Sequence, residues 1–304
     1  MMDTFLLLLP ICGIIAFGYF LHRYHIVKSN WIKTLNLFVY YVSLPALIIT
    51  LFWKIEFTTS TLSFLGFHAI LIIVLSLLLV LFLSLFSINN NTKIAVVLGV
   101  MVGNTIYMGY PILQSAYPAF PIEVSMGAGT IQLIVGLLMG VFLVEYMVLK
   151  TKKSSVYFLD LAKNPLVIAV IAGVLLNLVA HNQIVNEIFK PISLLGETAS
   201  PLALFTLGAF MYRKFSKQSW MLGGFAIVAK LAIFPLVVFL ISSLLGYSKE
   251  YIQISVLISA MPTAVTGFIL AEKYNLNDQL AADIILVTTI LSIISIPMVT
   301  WLLG

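Results

Sequence analysis

Twice in this chain a proline falls deep inside an apolar stretch: Gly103 to Leu113 reads GNTIYMGYPIL, and Ser259 to Leu270 reads SAMPTAVTGFIL. Lipid offers no water to satisfy the backbone groups that a helix break frees. An interrupted helix therefore survives at membrane depth only where it lines a cavity enclosed by protein. A pair of such breaks, one in each half of the chain, points to the binding site of a secondary transporter.

That argument requires a membrane, and the composition supplies it. Charged residues make up 9% of the chain and hydrophobic residues 62%, with a mean hydropathy of +1.13, where soluble domains carry about 25% charge. Ten apolar stretches follow along the sequence, at about 4–21, 32–53, 62–87, 94–117 (interrupted), 124–149, 165–181, 190–212, 219–246, 251–272 (interrupted) and 280–303. No Lys or Arg precedes the first stretch, so it reads as a permanent span and not as a signal peptide. Cys12 is the only cysteine, which excludes an internal disulfide.

The Lys and Arg residues orient the chain. Twelve lie in the odd-numbered loops and three in the even-numbered ones, which places the odd loops in the cytoplasm and both termini outside a cell membrane. The same asymmetry accounts for the basic pI of about 9.2, so nucleic acid is not an expected partner. Trp31, Trp53, Trp220 and Trp301 fall at span ends, as in an aromatic belt.

The halves resemble each other. VSLPAL at Val42–Leu47 matches ASPLAL at Ala199–Leu204, and the interrupted fourth stretch matches the ninth. The expected organisation is a first five-helix repeat at 1–149, a cytoplasmic linker at 150–164 and a second repeat at 165–304. Five spans is an odd number, so the second copy is inverted. A rise of about 1.5 Å per residue puts Asn104 and Pro262 roughly 15 Å into their spans, near the midplane. The half-helix that follows each break presents unpaired amides and a positive dipole end, which favour a carboxylate.

Three segments together resemble the auxin efflux carrier family, whose bacterial members are often described as malate or malonate permeases. They are NLFVYYVSLPAL at Asn36–Leu47, NTIYMGYPIL at Asn104–Leu113, and PTAVTGFILAEKYN at Pro262–Asn275 followed by Thr288, Ser292 and Pro297. The resemblance implies an all-α integral membrane fold like that of the bile acid/sodium symporters. Ten transmembrane helices would form two inverted five-helix repeats, with broken helices four and nine crossing. A transport domain would move against a scaffold, and two copies would pair as a homodimer. The chain lacks the long hydrophilic central loop of the plant carriers and the Asp/Lys pair of their third span, where His68 is the ionisable residue.

Substrate contacts are expected from Asn104, Thr105, Pro111, Pro262, Thr263, Pro45 and Lys230. Asn104 could instead bond a neighbouring helix, and Thr263 and Thr266 their own backbone. Pro45 and Pro201 line the site or merely kink their helices. A charge as deep as Lys230 costs at least about 2.5 kcal/mol, which favours a functional or charge-pairing role over snorkelling or a water-filled cleft. Glu197 is the candidate for ion coupling, to Na+ or H+, with a structural pair to Lys230 or a partly solvated carboxylate as the alternatives. Glu145, Glu272 and Asp283 read as hydrated charges at span ends. His22, His25 and His181 have no metal-binding spacing, and no cofactor is expected.

The expected function is therefore secondary active transport of a small organic anion, a malate- or auxin-like carboxylate, by alternating access at a midplane crossover. An anion channel or membrane receptor is the alternative, though neither requires two symmetric breaks. An intramembrane enzyme would need a motif such as HExxH, which the sequence lacks.

Overall fold

A computed structural model of the chain describes residues 2–149, 164–178, 183–212 and 220–304. All but one residue of the expected linker at 150–164 lies outside them. The helices are α1 (Met2–Arg23), α2 (Ser29–Phe38), α3 (Leu44–Lys54), α4 (Thr59–Ser84), α5 (Asn90–Met101), α6 (Gly109–Ala116), α7 (Ile122–Val144) and α8 (Pro165–Asn177). There follow α9 (Gln183–Glu197), α10 (Ala199–Phe210), α11 (Trp220–Val228), α12 (Phe234–Leu244), α13 (Lys249–Ala260), α14 (Val265–Lys273) and α15 (Asp278–Leu303).

Six continuous helical runs among the described residues are long and apolar enough to cross a membrane: Ser29–Lys54, Thr59–Ser84, Ile122–Val148, Glu187–Phe210, Met221–Leu244 and Asp278–Leu303. This is fewer than the ten apolar stretches for a physical reason. Two stretches are split, into α5/α6 and α13/α14. Two more yield the shorter apolar helices Leu9–Arg23 and Pro165–Asn177.

Local chemistry sets several starts. The Thr58 hydroxyl accepts from the Thr61 amide at 3.1 Å before α4, Asn89 accepts from Thr92 at 2.8 Å before α5, and Asn277 accepts from Leu280 at 3.1 Å before α15. Each satisfies one of the amides that a helix start leaves unpaired. Asn164 does the same for Leu166 at 2.9 Å, with Pro165 at the first helical position, where its missing N–H costs nothing.

Proline also explains two widened turns. Val39–Ser43 and Ala229–Ile233 are π turns, immediately followed by Pro45 and Pro235 in the first turns of α3 and α12. Neither proline can donate to the carbonyl four residues back. The backbone shifts by one residue, so that Leu44 bonds Val39 and Phe234 bonds Ala229. Lys230 sits inside the second of these turns.

Small residues decide which helices approach closely, since lipid gives apolar helices no solvent-driven reason to associate. Helix α1 packs along α10 at Gly18 and Gly208, where an added Cβ would come 2.0 Å from the Phe205 carbonyl oxygen and 1.9 Å from that of Ile15. Helix α3 lies against α8 and α9, at Gly173 and Gly196. Asn177 closes that group by donating to the carbonyls of Trp53 at 2.7 Å and Ile55 at 2.8 Å. Trp53 is itself buried, its ring 5.1 Å from that of Phe189. It stands at the end of α3, as expected, but beneath α9.

A second set of contacts joins α4 to α7, α12 to α13, and α5 to α7, α14 and α15. The outward faces of α4 and α12 carry Leu78, Leu81, Leu236 and Leu244 exposed, as spans facing acyl chains do. The two interrupted stretches meet inside this set.

Candidate functional site

The breaks in the two split stretches fall on each other. Helix α5 ends at Met101 and α13 at Ala260, and the extended residues that follow pair as an antiparallel bridge, Gly103 with Thr263. The Asn104 amide donates to the Pro262 carbonyl at 2.7 Å, and the Ala264 amide donates to the Val102 carbonyl at 2.9 Å. Each break supplies the partners that the other lost, which is how non-helical backbone persists within an apolar core.

The side chains complete this exchange. Pro262 has no N–H for the Ile258 carbonyl, which accepts from Met261 instead. The Thr263 amide turns to the Thr288 hydroxyl of α15 at 3.1 Å, while the Thr263 hydroxyl donates to the Gly99 carbonyl of α5. In the other break, Pro111 leaves the Tyr107 carbonyl without its helical donor, and the Ser200 hydroxyl of α10 supplies one. The Thr105 hydroxyl donates to the Gly129 carbonyl of α7 at 2.8 Å.

Lys230 reaches the crossing from its π turn. It is fully buried, donates from Nζ to the Ser259 carbonyl at 3.1 Å, and lies 4.7 Å from the centre of the Phe234 ring. An added Cβ on Gly103 would come 3.0 Å from Nζ. The ammonium therefore stands beside the carboxyl ends of both α5 and α13, the negative ends of their dipoles, and over a π face that attracts cations.

Ser259 belongs to a further buried group. The Gln132 side-chain amide of α7 donates to the Ser259 hydroxyl at 3.3 Å and lies 2.8 Å from His68 Nδ1 of α4. His68 Nε2 lies 3.2 Å from the Ser255 hydroxyl. With Gln132 donating, His68 is the neutral tautomer carrying its proton on Nε2. Gln132, Ser255 and Ser259 were not among the expected site residues. The available signal was a lone glutamine and a lone histidine within apolar spans.

Of the expected residues, the structure brings Asn104, Pro262, Thr263 and Lys230 together, with Thr105 directed toward α7 and Pro111 in the first turn of α6. Asn104 is 3% exposed, and its Oδ1 has no hydrogen-bond partner. Pro45 lies instead at the start of α3. Glu197, at the end of α9, is exposed and within electrostatic reach of Tyr110 in α6. No ion pair joins Glu197 to Lys230, so the structural pair held as an alternative is not formed: Lys230 bonds a backbone carbonyl and lies over a ring, and Glu197 lies on an exposed face.

A cavity of about 290 Å³ adjoins Met108, just beyond the break, and is walled by α1 and α15. Its lining is apolar apart from Cys12, Tyr19, Thr289 and Ser292, and the Thr289 hydroxyl is buried without a partner. No cluster of His, Cys, Asp and Glu suited to a metal occurs among the described residues. The arrangement offers the Asn104 side-chain amide, the buried Lys230 side chain and an adjoining cavity. That chemistry suits holding an anion and contains no nucleophile–base pair.

Comparison with known proteins agrees with this chemistry. The family described as Membrane transport protein matches residues 4–159 and 150–300. An uncharacterised transporter of Methanocaldococcus jannaschii is 26% identical over 99% of this chain and 98% of its own length. A Rhizobium meliloti protein named as a malonate transporter is 28% identical over 48% of this chain and 47% of its own. A protein of Oryza sativa subsp. japonica named as auxin efflux carrier component 9 is 35% identical over 33% of this chain and 23% of its own.

Proposed function

Because the chain belongs to the membrane transport protein family, we propose that it is a secondary carrier of a small organic anion, with the crossing of the two broken helices as its binding site. In this reading ten spans form two inverted five-helix repeats in a cell membrane, with both termini outside. The observation that carries the reading is the reciprocal bonding of Val102–Asn104 with Pro262–Ala264, one break from each half of the chain.

The chemistry of the crossing divides by helix end. The carboxyl ends of α5 and α13 face Lys230, whereas α6 and α14 begin just beyond the breaks and turn their amino ends toward it. A carboxylate is favoured at such amino ends, and Lys230 adds a positive potential from behind. Asn104 can donate from Nδ2 to a carboxylate or accept at Oδ1 from a carboxylic acid. A ligand that supplies the missing donor to Oδ1 relieves a cost of about 1–3 kcal/mol. The cavity beside Met108 gives the ligand's remainder a place.

Malonate, which one relative's name gives as its substrate, is the first ligand to test, with malate and aromatic carboxylates beside it. Glu197, on an exposed face near the start of α6, is the proposed coupling group. Thermal-shift screening of mono- and dicarboxylates identifies the ligand, because binding at a hundred times Kd stabilises by about 2.7 kcal/mol. Proteoliposomes loaded with that carboxylate should then show saturable counterflow. Flux that neither saturates nor exchanges would indicate a channel.

A further inference from the structure

The carriers whose fold the sequence resembles couple to sodium, and broken helices are where unwound carbonyls and half-helix carboxyl ends hold such ions. Much of that role is already filled here, at the carboxyl ends of the two half-helices. Five of the carbonyls at the two breaks are already engaged: Gly99 by the Thr263 hydroxyl, Val102 by Ala264, Pro262 by Asn104, Ile258 by Met261, and Ser259 by Lys230. Among the described residues no carboxylate pairs with Lys230.

We infer that the Lys230 ammonium is the resident cation of the crossing, standing where a broken-helix carrier would bind sodium, so that the anion binds and moves without that ion. The inference rests on the reading of the crossing as the transport site and deepens it. Three independent features fix the ammonium there. The Thr263 amide, which an unbroken helix would direct to the Ser259 carbonyl, bonds Thr288 instead and leaves that carbonyl to Nζ. Gly103 has no side chain to fill the space that Nζ occupies. The π turn before Pro235 carries Lys230 to a point against the Phe234 ring.

The shape of the surrounding bonds adds a reason for permanence. Gln132 holds the Ser259 hydroxyl, and His68 and Ser255 complete that group, so the carbonyl that Lys230 bonds is braced from α4 and α7. A covalently tethered cation needs no binding step. It also cannot leave, so it can neutralise the substrate's charge at the midplane but cannot itself carry an ion gradient. Any coupling must then use another group.

The test compares purified wild-type protein with Lys230→Ala, in sodium chloride and in choline chloride at equal ionic strength. The wild type should show no sodium-specific rise in melting temperature, and its malonate counterflow should change less than twofold when choline replaces sodium. Lys230→Ala should lose at least tenfold of counterflow in choline and regain part of it with methylammonium, a free ammonium of matching charge. A saturable sodium-specific stabilisation of the wild type would overturn the inference, as would full counterflow by Lys230→Ala in choline without an added amine. If Lys230→Ala does not fold, the sodium titration of the wild type decides alone. Failure of malonate to exchange in either medium, with no sodium effect on melting, would sink malonate as the substrate and leave the resident cation standing.

Discussion

Lys230 donates to the carbonyl of Ser259 at the carboxyl end of a broken helix, at 3.1 Å, while the Thr263 amide that an intact helix would offer that carbonyl is bonded to Thr288. The helix break at Pro262 thus leaves a backbone carbonyl to a buried lysine. Mutations along this line should act on transport before they act on the fold.

Gly103→Ala is the smallest such change. Its methyl group would come 3.0 Å from Lys230 Nζ and 3.3 Å from Thr105 Cγ2. Overpacking of this kind costs about 1–3 kcal/mol. The variant should fold with a lowered melting temperature and lose most of its counterflow, because the ammonium is pushed off its carbonyl. Wild-type flux would show that the position of Nζ does not matter.

Thr263→Val keeps the side-chain shape and removes the hydroxyl that bonds the Gly99 carbonyl. An unsatisfied buried carbonyl costs about 1–3 kcal/mol. Thermal unfolding in detergent should show that loss. Leu81→Ala, on an outward face, should shift the same measurement by far less, because lipid replaces the contacts removed.

The His68–Gln132 contact at 2.8 Å joins α4 to α7 beneath Ser259. A double-mutant cycle with His68→Phe and Gln132→Leu should give a coupling energy of about 0.5–2 kcal/mol. Strict additivity would remove the pair as a brace of the crossing.

The crossing could be located from the sequence because proline and polar residues punctuate an apolar run: Asn104, Pro111, Pro262 and Thr263 are conspicuous where leucine and valine are the norm. The partner of Lys230 could not, because a backbone carbonyl has no signature of its own and charge complementarity pointed to Glu197. Helical rotation decides otherwise, since Glu197 ends α9 on an exposed face. Gln132, Ser255 and Ser259 were equally hidden, being isolated polar residues on α7 and α13 that tertiary packing alone brings together with His68 of α4. The π turns were also unread: Pro45 and Pro235 announce a distortion, but not that it is absorbed by a wider turn.

Glu197→Gln separates binding from coupling. Removing a carboxylate that lies on an exposed face should leave malonate counterflow within about twofold, while accumulation driven by a proton gradient should fail. Exchange proceeds without return of an ion, whereas accumulation does not. Undiminished gradient-driven uptake would dismiss Glu197 as the coupling group.

The most direct test of the anion site is the affinity of purified Asn104→Ala for the carboxylate that stabilises the wild type most. Asn104 is buried at the crossing, and a hydrogen bond from its Nδ2 to a charged carboxylate is worth about 1.5–3 kcal/mol. The account predicts a folded protein whose Kd rises tenfold or more. An unchanged Kd in a folded Asn104→Ala protein would contradict the placement of the substrate at the crossing.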